Sequence, residues 1–316
     1  MPEQPLPGRA RTTRTSHRVR RIFMVGLGAA VAGGLSTTLV RAAPTTDLPA
    51  LGPVSSEHHA GKMVFAELVT PDLVTAEQFY TDLFRWSFQN AYVGKTLFGQ
   101  ASFNGRVVAA IVQKKLPEGR RPIWLSFMAT GDVDKAADLA VEHGAQVLMK
   151  PHQIANIGRD ALLTDPQGAV FGMLASSSGD SPDVLAQPGE WIWSSLVTPD
   201  PETDAAFYKA LFGYDELSMP DPQDAKHLIL TSENYARASV NPMPADHPVS
   251  RARWISYVRV QDVAATTAKV TALGGRIVLA PRVDRQGSPI ALVADPSGAL
   301  FGLMQWPEDA AEGDAK

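Results

Sequence analysis

Apolar and polar positions along the chain alternate between two periods, and the switches mark the elements. Met63–Val69 is a short apolar run, predicting a strand, and Asp72 follows it as a helix N-cap. After Asp72, the apolar residues Ala76, Phe79, Tyr80, Leu83 and Phe84 fall on one helical stripe. A second strand–helix unit is predicted at Ile123–Ala129 and Val133–His143, stopped by Gly144. Asp165-Pro166-Gln167-Gly168 has tight-turn chemistry and joins two further strands. The order is strand, helix, strands, then the same again.

The whole pattern then recurs. Leu68-Val69-Thr70-Pro71-Asp72 returns as Leu196-Val197-Thr198-Pro199-Asp200, and Phe79-Tyr80 returns as Phe207-Tyr208, both 128 residues later. Trp124, Ser126, Asp132 and Gly144 return as Trp254, Ser256, Asp262 and Gly274, now 130 residues later. Asp165-Pro166 and Phe171-Gly172 return as Asp295-Pro296 and Phe301-Gly302. Matches in one order with a single small shift define a tandem duplication with two residues gained in the second copy. In that copy Asp200-Pro201-Glu202 supplies cap, first-turn proline and first-turn acid, and Gly213 ends the helix. The predicted organisation is an export signal over 1–42, a leader over 43–60, repeats over 61–176 and 190–306, a polar linker over 177–189 and an acidic tail over 307–316.

Composition sharpens this. The 316 residues suit two ordinary domains, and the 45% apolar and 20% charged content is globular. The net charge of −4 is uneven: residues 1–42 hold seven Arg and one acid, leaving 22 basic and 32 acidic side chains for the rest. An acidic body argues against nucleic-acid binding, which needs clustered cations. The absence of cysteine excludes disulfides, thiolate metal sites and cysteine nucleophiles. A basic stretch ending in Arg20-Arg21, an apolar run from Ile22 to Val40 and small residues around Ala42 describe an export signal, and the paired arginines resemble a bacterial twin-arginine signal. A retained membrane anchor is the alternative, disfavoured by Gly26, Gly28, Gly33 and Gly34. The expected product is exported, periplasmic or extracellular, with no stable membrane anchor after cleavage.

The two strand–helix units per copy, the Phe-Tyr helix and the Asp-Pro-x-Gly turn resemble the vicinal oxygen chelate superfamily, which includes glyoxalase I, bleomycin- and fosfomycin-resistance proteins and extradiol dioxygenases. Glu67-Leu68 before Thr-Pro-Asp, with the Gly-Ala-x-Phe-Gly ending, is similar to tandem glyoxalase-like proteins often called hydroxylases. The resemblance covers residues 61–306 and implies an α+β fold: two tandem glyoxalase-like domains, each of two βαβββ modules curled into a half-open barrel around a cleft. It also implies metal ligands, a His on the first strand and a Glu on the last. Phe65, Trp193, Leu125 and Ile255 stand at the first kind of place and Gly172 and Gly302 at the second, so no metal and no cofactor is expected.

Strand parity puts Phe65, Glu67 and Val69 on one face, the cleft face by the family pattern. Glu67 in an apolar wall is the candidate general acid or base; the alternative is a structural carboxylate. The second copy has Ser195 there, beside Trp193. Phe127 and Tyr257 extend the candidate ligand-binding set, whereas Trp124 and Trp254 have the opposite parity and face the helices. Arg159 either holds an anionic ligand or pairs with Asp160 at the surface. His58-His59 reads as a solvated segment, and His143, His152, His227 and His247 show no shared ligand spacing. The expected partner is a small, partly apolar molecule, with no nucleic acid. Three readings remain: a binding protein, a metal-independent lyase or isomerase using Glu67, and an interaction protein with degenerate clefts.

Overall fold

The computed structural model describes residues 48–219, 226–243 and 251–306. The predicted signal, the first five leader residues and the acidic tail lie outside them. No helix among the described residues is long and apolar enough to cross a membrane.

Two eight-stranded sheets run through residues 63–304. The first takes β1 (Met63–Thr70), α1 (Leu73–Phe84), β2 (Ser87–Val93), β3 (Thr96–Phe103), β4 (Arg106–Gln113), β5 (Ile123–Ala129), α2 (Val133–Glu142), β6 (Gln146–Ile154), β7 (Gly158–Thr164) and β8 (Val170–Ser176). The second repeats that order with β9 (Trp191–Thr198), α3 (Pro201–Phe212), β10 (Asp215–Met219), β11 (His227–Ser232), β12 (Tyr235–Pro242), β13 (Arg253–Arg259), α4 (Val263–Ala272), β14 (Arg276–Val283), β15 (Pro289–Ala294) and β16 (Leu300–Met304). Strand orders are β2-β3-β4-β1-β5-β8-β7-β6 and β10-β11-β12-β9-β13-β16-β15-β14. Each module closes on a parallel pair, β1 with β4 and β5 with β8, and an antiparallel β1–β5 pair joins the modules. These are the two tandem half-barrels that the repeat predicts.

The helices begin where the caps say. Asp72, Asp132, Asp200 and Asp262 each accept a hydrogen bond from the backbone N–H three residues on. Gly213 ends α3 in the left-handed conformation, and the first copy puts Arg85 in the same conformation at the end of α1.

The cores do not follow the repeat boundary. Leu68, Phe79, Tyr80 and Trp124 pack with Val258, Val263, Phe301 and Leu303 of the second copy. Val133, Ala140 and Phe171 pack reciprocally with Phe207, Tyr208 and Trp254. Each sheet therefore buries its helix-bearing side against the other copy, and neither repeat completes that side alone. The repeated motifs are the cross-links. Tyr80 Oη donates to Asp295 Oδ2 at 3.0 Å and accepts from Trp124 Nε1 at 2.8 Å. Tyr208 Oη does the same with Asp165 (3.0 Å) and Trp254 (2.7 Å). The equivalent serines 126 and 256 hydrogen-bond to each other at 2.7 Å where β5 meets β13.

Candidate functional site

Alternation along β1 sends Ala66 and Leu68 into the shared core and Phe65 and Glu67 to the opposite, concave face. The β1–β5 register sets Phe65 opposite Phe127, with ring centroids 6.0 Å apart. Phe98, Gln100, Ala110, Ile154, Ile157, Asp160 and Leu174 complete the wall. Trp124 and Trp254 lie in the helix-side cores, as parity requires.

Gly172 pairs with Phe127 across β5 and β8, and Gly302 pairs with Tyr257 across β13 and β16. A Cβ at either glycine would stand only 2.1–2.6 Å from carbons of the facing ring, far inside contact distance. The aromatic side chains thus occupy the space where the superfamily resemblance implies a carboxylate ligand. Phe65, Leu125, Trp193 and Ile255 offer no donor at the companion places. The residues at these places do not fit a divalent ion.

Two carboxylates converge on the first cleft. Glu67 is partly exposed, lines this void and has no hydrogen bond among the described residues. Desolvation raises its pKa to about 8; the Asp160 charge adds to the shift and Lys114 opposes it. Asp160 is itself raised to about 6, by desolvation, against the attraction of His152. His152 Nδ1 stands 2.9 Å from Asp160 Oδ1, half-exposed at the outer side of the pair. At neutral pH Glu67 is a neutral acid, able to donate a hydrogen bond to a ligand or a proton to a reacting atom.

Arg159 requires a correction. It follows the opposite parity to Asp160 and pairs with Asp134 of α2, at 2.5 Å and 2.7 Å, instead of lining the cleft. The cleft residue of that dipeptide is Asp160. His59 also departs from the solvated reading. Its Nδ1 lies 2.7 Å from Glu233 and its Nε2 2.9 Å from Glu57, within a network holding Asp183, Lys62 and Arg237. Burial opposes its charge, but the bonds to Glu57 and Glu233 outweigh burial and raise its pKa.

The second cleft has a different chemistry on the same frame. By register, Ser195, Ile290 and Ile229 replace Glu67, Asp160 and Gln100, and Ser239 replaces Ala110. Ser239 Oγ is bonded to Ser195 Oγ (2.7 Å) and accepts from Trp193 Nε1 (3.1 Å) and Asn241 Nδ2 (3.0 Å). Tyr257, pushed up to about 12 by burial, packs with Trp193 and Ile255. Ser239 and Asn241 are not evident from the sequence because one of the two gained residues precedes β12 and the other follows it, so β4 aligns with β12 at a spacing of 129 that neither flanking motif shows. Gln100 and Asp160 could have been found by extending the parity of β1 through its neighbours.

Two curled sheets of paired βαβββ modules, each around a concave face, define a glyoxalase-fold protein. The family comparisons agree: the Glyoxalase/Bleomycin resistance protein/Dioxygenase superfamily model matches residues 58–173, and the Glyoxalase-like domain model matches 193–304. The chain is 32% identical over 257 residues to a Mycobacterium tuberculosis protein named "Putative glyoxylase CFP32", covering 80% of this chain and 98% of that one. It is 26% identical to the anthracycline biosynthesis protein DnrV of Streptomyces peucetius, covering 78% and 94%. Among solved structures, a Mn(II)-bound glyoxalase from Novosphingobium aromaticivorans matches with a TM-score of 0.56 at 14% identity, covering 79% of this chain and 83% of that one. A homoprotocatechuate 2,3-dioxygenase variant from B. fuscum matches with a TM-score of 0.55 at 17% identity, covering 84% and 76%. The chain belongs to the glyoxalase/bleomycin resistance/dioxygenase superfamily.

Proposed function

We propose that this is an exported glyoxalase-like protein that binds a small, partly apolar organic molecule in its first cleft without a metal ion. The observation that carries the reading is the contrast between the copies. The aromatic–glycine pairs recur in both, whereas Glu67, Asp160 and Gln100 occur together only in the first. Scaffold needs account for what recurs; a ligand accounts for polar groups set in one apolar wall and replaced in its twin.

The test is binding of a panel of neutral carbonyl compounds, read as a concentration-dependent rise in Tm, with metal analysis of the same preparation. Saturable stabilisation weakened by Phe65→Ala and unaffected by Ser195→Ala is expected, with far less than one ion per chain. A tightly held ion in each domain, or no compound bound, would sink the reading. Export is tested by intact mass: the mature chain is expected to begin near Ala43, and a full-length cytosolic product would overturn that part.

A second reading, a metal-independent lyase or isomerase, rests on Glu67 as a neutral acid beside Asp160. It requires turnover of a bound compound, which the same panel can reveal. An interaction role with degenerate clefts is what remains if neither binding nor turnover occurs.

A further inference from the structure

The first cleft already has an occupant. Leu48 lies among its lining residues, only 4% exposed, in the cluster that contains Phe65, Phe127 and Leu174. Leu51 packs against the same cluster. The carbonyls between these side chains are also held: Leu48 O accepts from Asn156 Nδ2 at 3.1 Å, and Pro49 O accepts from Gln100 Nε2 at 2.8 Å. What remains open is about 20 Å³, room for a water and far below the roughly 300–1,000 Å³ of small-molecule sites.

The rest of the leader is fastened independently. Ser55 N donates to Ser178 O at 2.7 Å, and Asp180 N donates to Glu57 O at 2.9 Å. Gly179 sits against Ser55 so closely, at positive φ, that no side chain would fit. Residues 48–51 are therefore tethered next to the cleft by contacts in which they take no part. The local concentration of such a tethered occupant is high, and an outside ligand must outcompete it.

We propose that residues 48–51 are a displaceable internal occupant of the first cleft, and that their chemistry identifies the ligand class: a branched aliphatic group flanked by carbonyl oxygens, as in a short apolar peptide or an N-acyl amide. Three donors suit that class. The Gln100 and Asn156 amides hold the carbonyls, and Glu67, which has no hydrogen bond among the described residues, lines the same cleft. The proposal deepens the reading of this cleft as a ligand site and rests on it.

The lack of cysteine in the chain allows a direct test in the full-length protein. Thiol reaction with dithiobis(nitrobenzoate) is compared for Leu48→Cys and for Val54→Cys, whose position is 92% exposed, each normalised to its rate in denaturant. Labelling at 48 is expected to be slower by about 100-fold, and N-acetyl-Asp-Leu-Pro-Ala-Leu-amide should accelerate it saturably. Adding Gln100→Ala and Asn156→Ala to the Leu48→Cys chain should raise the rate several-fold without peptide. Equal rates at 48 and 54 would overturn the internal occupant, while binding of carbonyl compounds in the thermal assay would still support the cleft as a ligand site. Slow labelling that the peptide leaves unchanged at millimolar concentration would overturn displacement and the ligand class together.

Discussion

Phe127 and Gly172 face each other across the β5–β8 pair, and the phenylalanine ring fills the space that a side chain at 172 would need. Tyr257 and Gly302 repeat the relationship in the second copy. Gly172 is not at positive φ, so its constraint is steric and belongs to the pair. Gly172→Ala is therefore expected to destabilise the protein by about 1–3 kcal/mol through overpacking. Phe127→Ala alone should cost about 3–5 kcal/mol by leaving a cavity. The double variant should cost less than the sum, because the new methyl occupies part of that cavity. Denaturant unfolding of the three variants checks this; strict additivity would show that the ring and the glycine do not constrain each other.

The Tyr80–Asp295 bond ties a helix of the first copy to a turn of the second, buried and reinforced by Trp124. Tyr80→Phe keeps the ring but strands a carboxylate oxygen and an indole N–H. The expected loss is about 1–3 kcal/mol, the penalty for buried groups left without a partner. Tyr208→Phe should behave alike, since Asp165 and Trp254 stand in the same relation to it. Chemical denaturation with a single shared transition is also expected, because the cores cross the repeat boundary. Two separated transitions would contradict that coupling.

These cross-copy bonds explain how far the sequence could be read. The duplication, the caps and the strand parity of Phe65, Glu67 and Trp124 were legible because they depend on local periodicity. The partner of Tyr80 was not, although Tyr80 and Asp295 both belong to motifs plain in the sequence. A repeat gives the same residue in each copy and does not say whether the contact is made within a copy or across it. Arg159 failed for a smaller reason: one step of register separates the cleft side of β7, where Asp160 points, from the side that meets α2. Leu48 lay in a leader without periodicity, where no pattern announces a packed residue.

Asp204 offers a pH test away from the clefts. It is fully buried in the first turns of α3, where the first copy has Ala76. Desolvation, with the Asp165 charge nearby, raises its pKa to about 7. A raised carboxylate pKa means that the folded state holds its proton longer than the unfolded state does. Its contribution to stability therefore falls as pH rises from about 4 to about 7 and is level above that, with a total of at most about 4 kcal/mol. Asp204→Ala removes this contribution and should leave the protein more stable than the parent at pH 8, with little difference at pH 4. Tm measured across that range decides it, and a variant less stable at pH 8 would refute the assignment.

Glu67 gives the most informative single substitution, because its counterpart Ser195 shows that the scaffold does not require a carboxylate there. Its pKa of about 8 makes it a hydrogen-bond donor at pH 6–7 and an anion above pH 8. Glu67→Gln keeps the size and the donor but cannot ionise. If Glu67 only donates to a ligand carbonyl, the variant should bind a neutral carbonyl compound within about tenfold of the parent at pH 6. The parent's affinity should fall as pH rises through about 8, and the variant's should not. If Glu67 transfers a proton, Glu67→Gln should instead lose about 10²–10⁴ in rate with the fold intact. Titrations at pH 6 and pH 9, with turnover measured on any compound bound, separate the two roles. A parent whose binding is flat across this range would show that Glu67 does not face the ligand. We expect the binding profile to change and turnover to be absent.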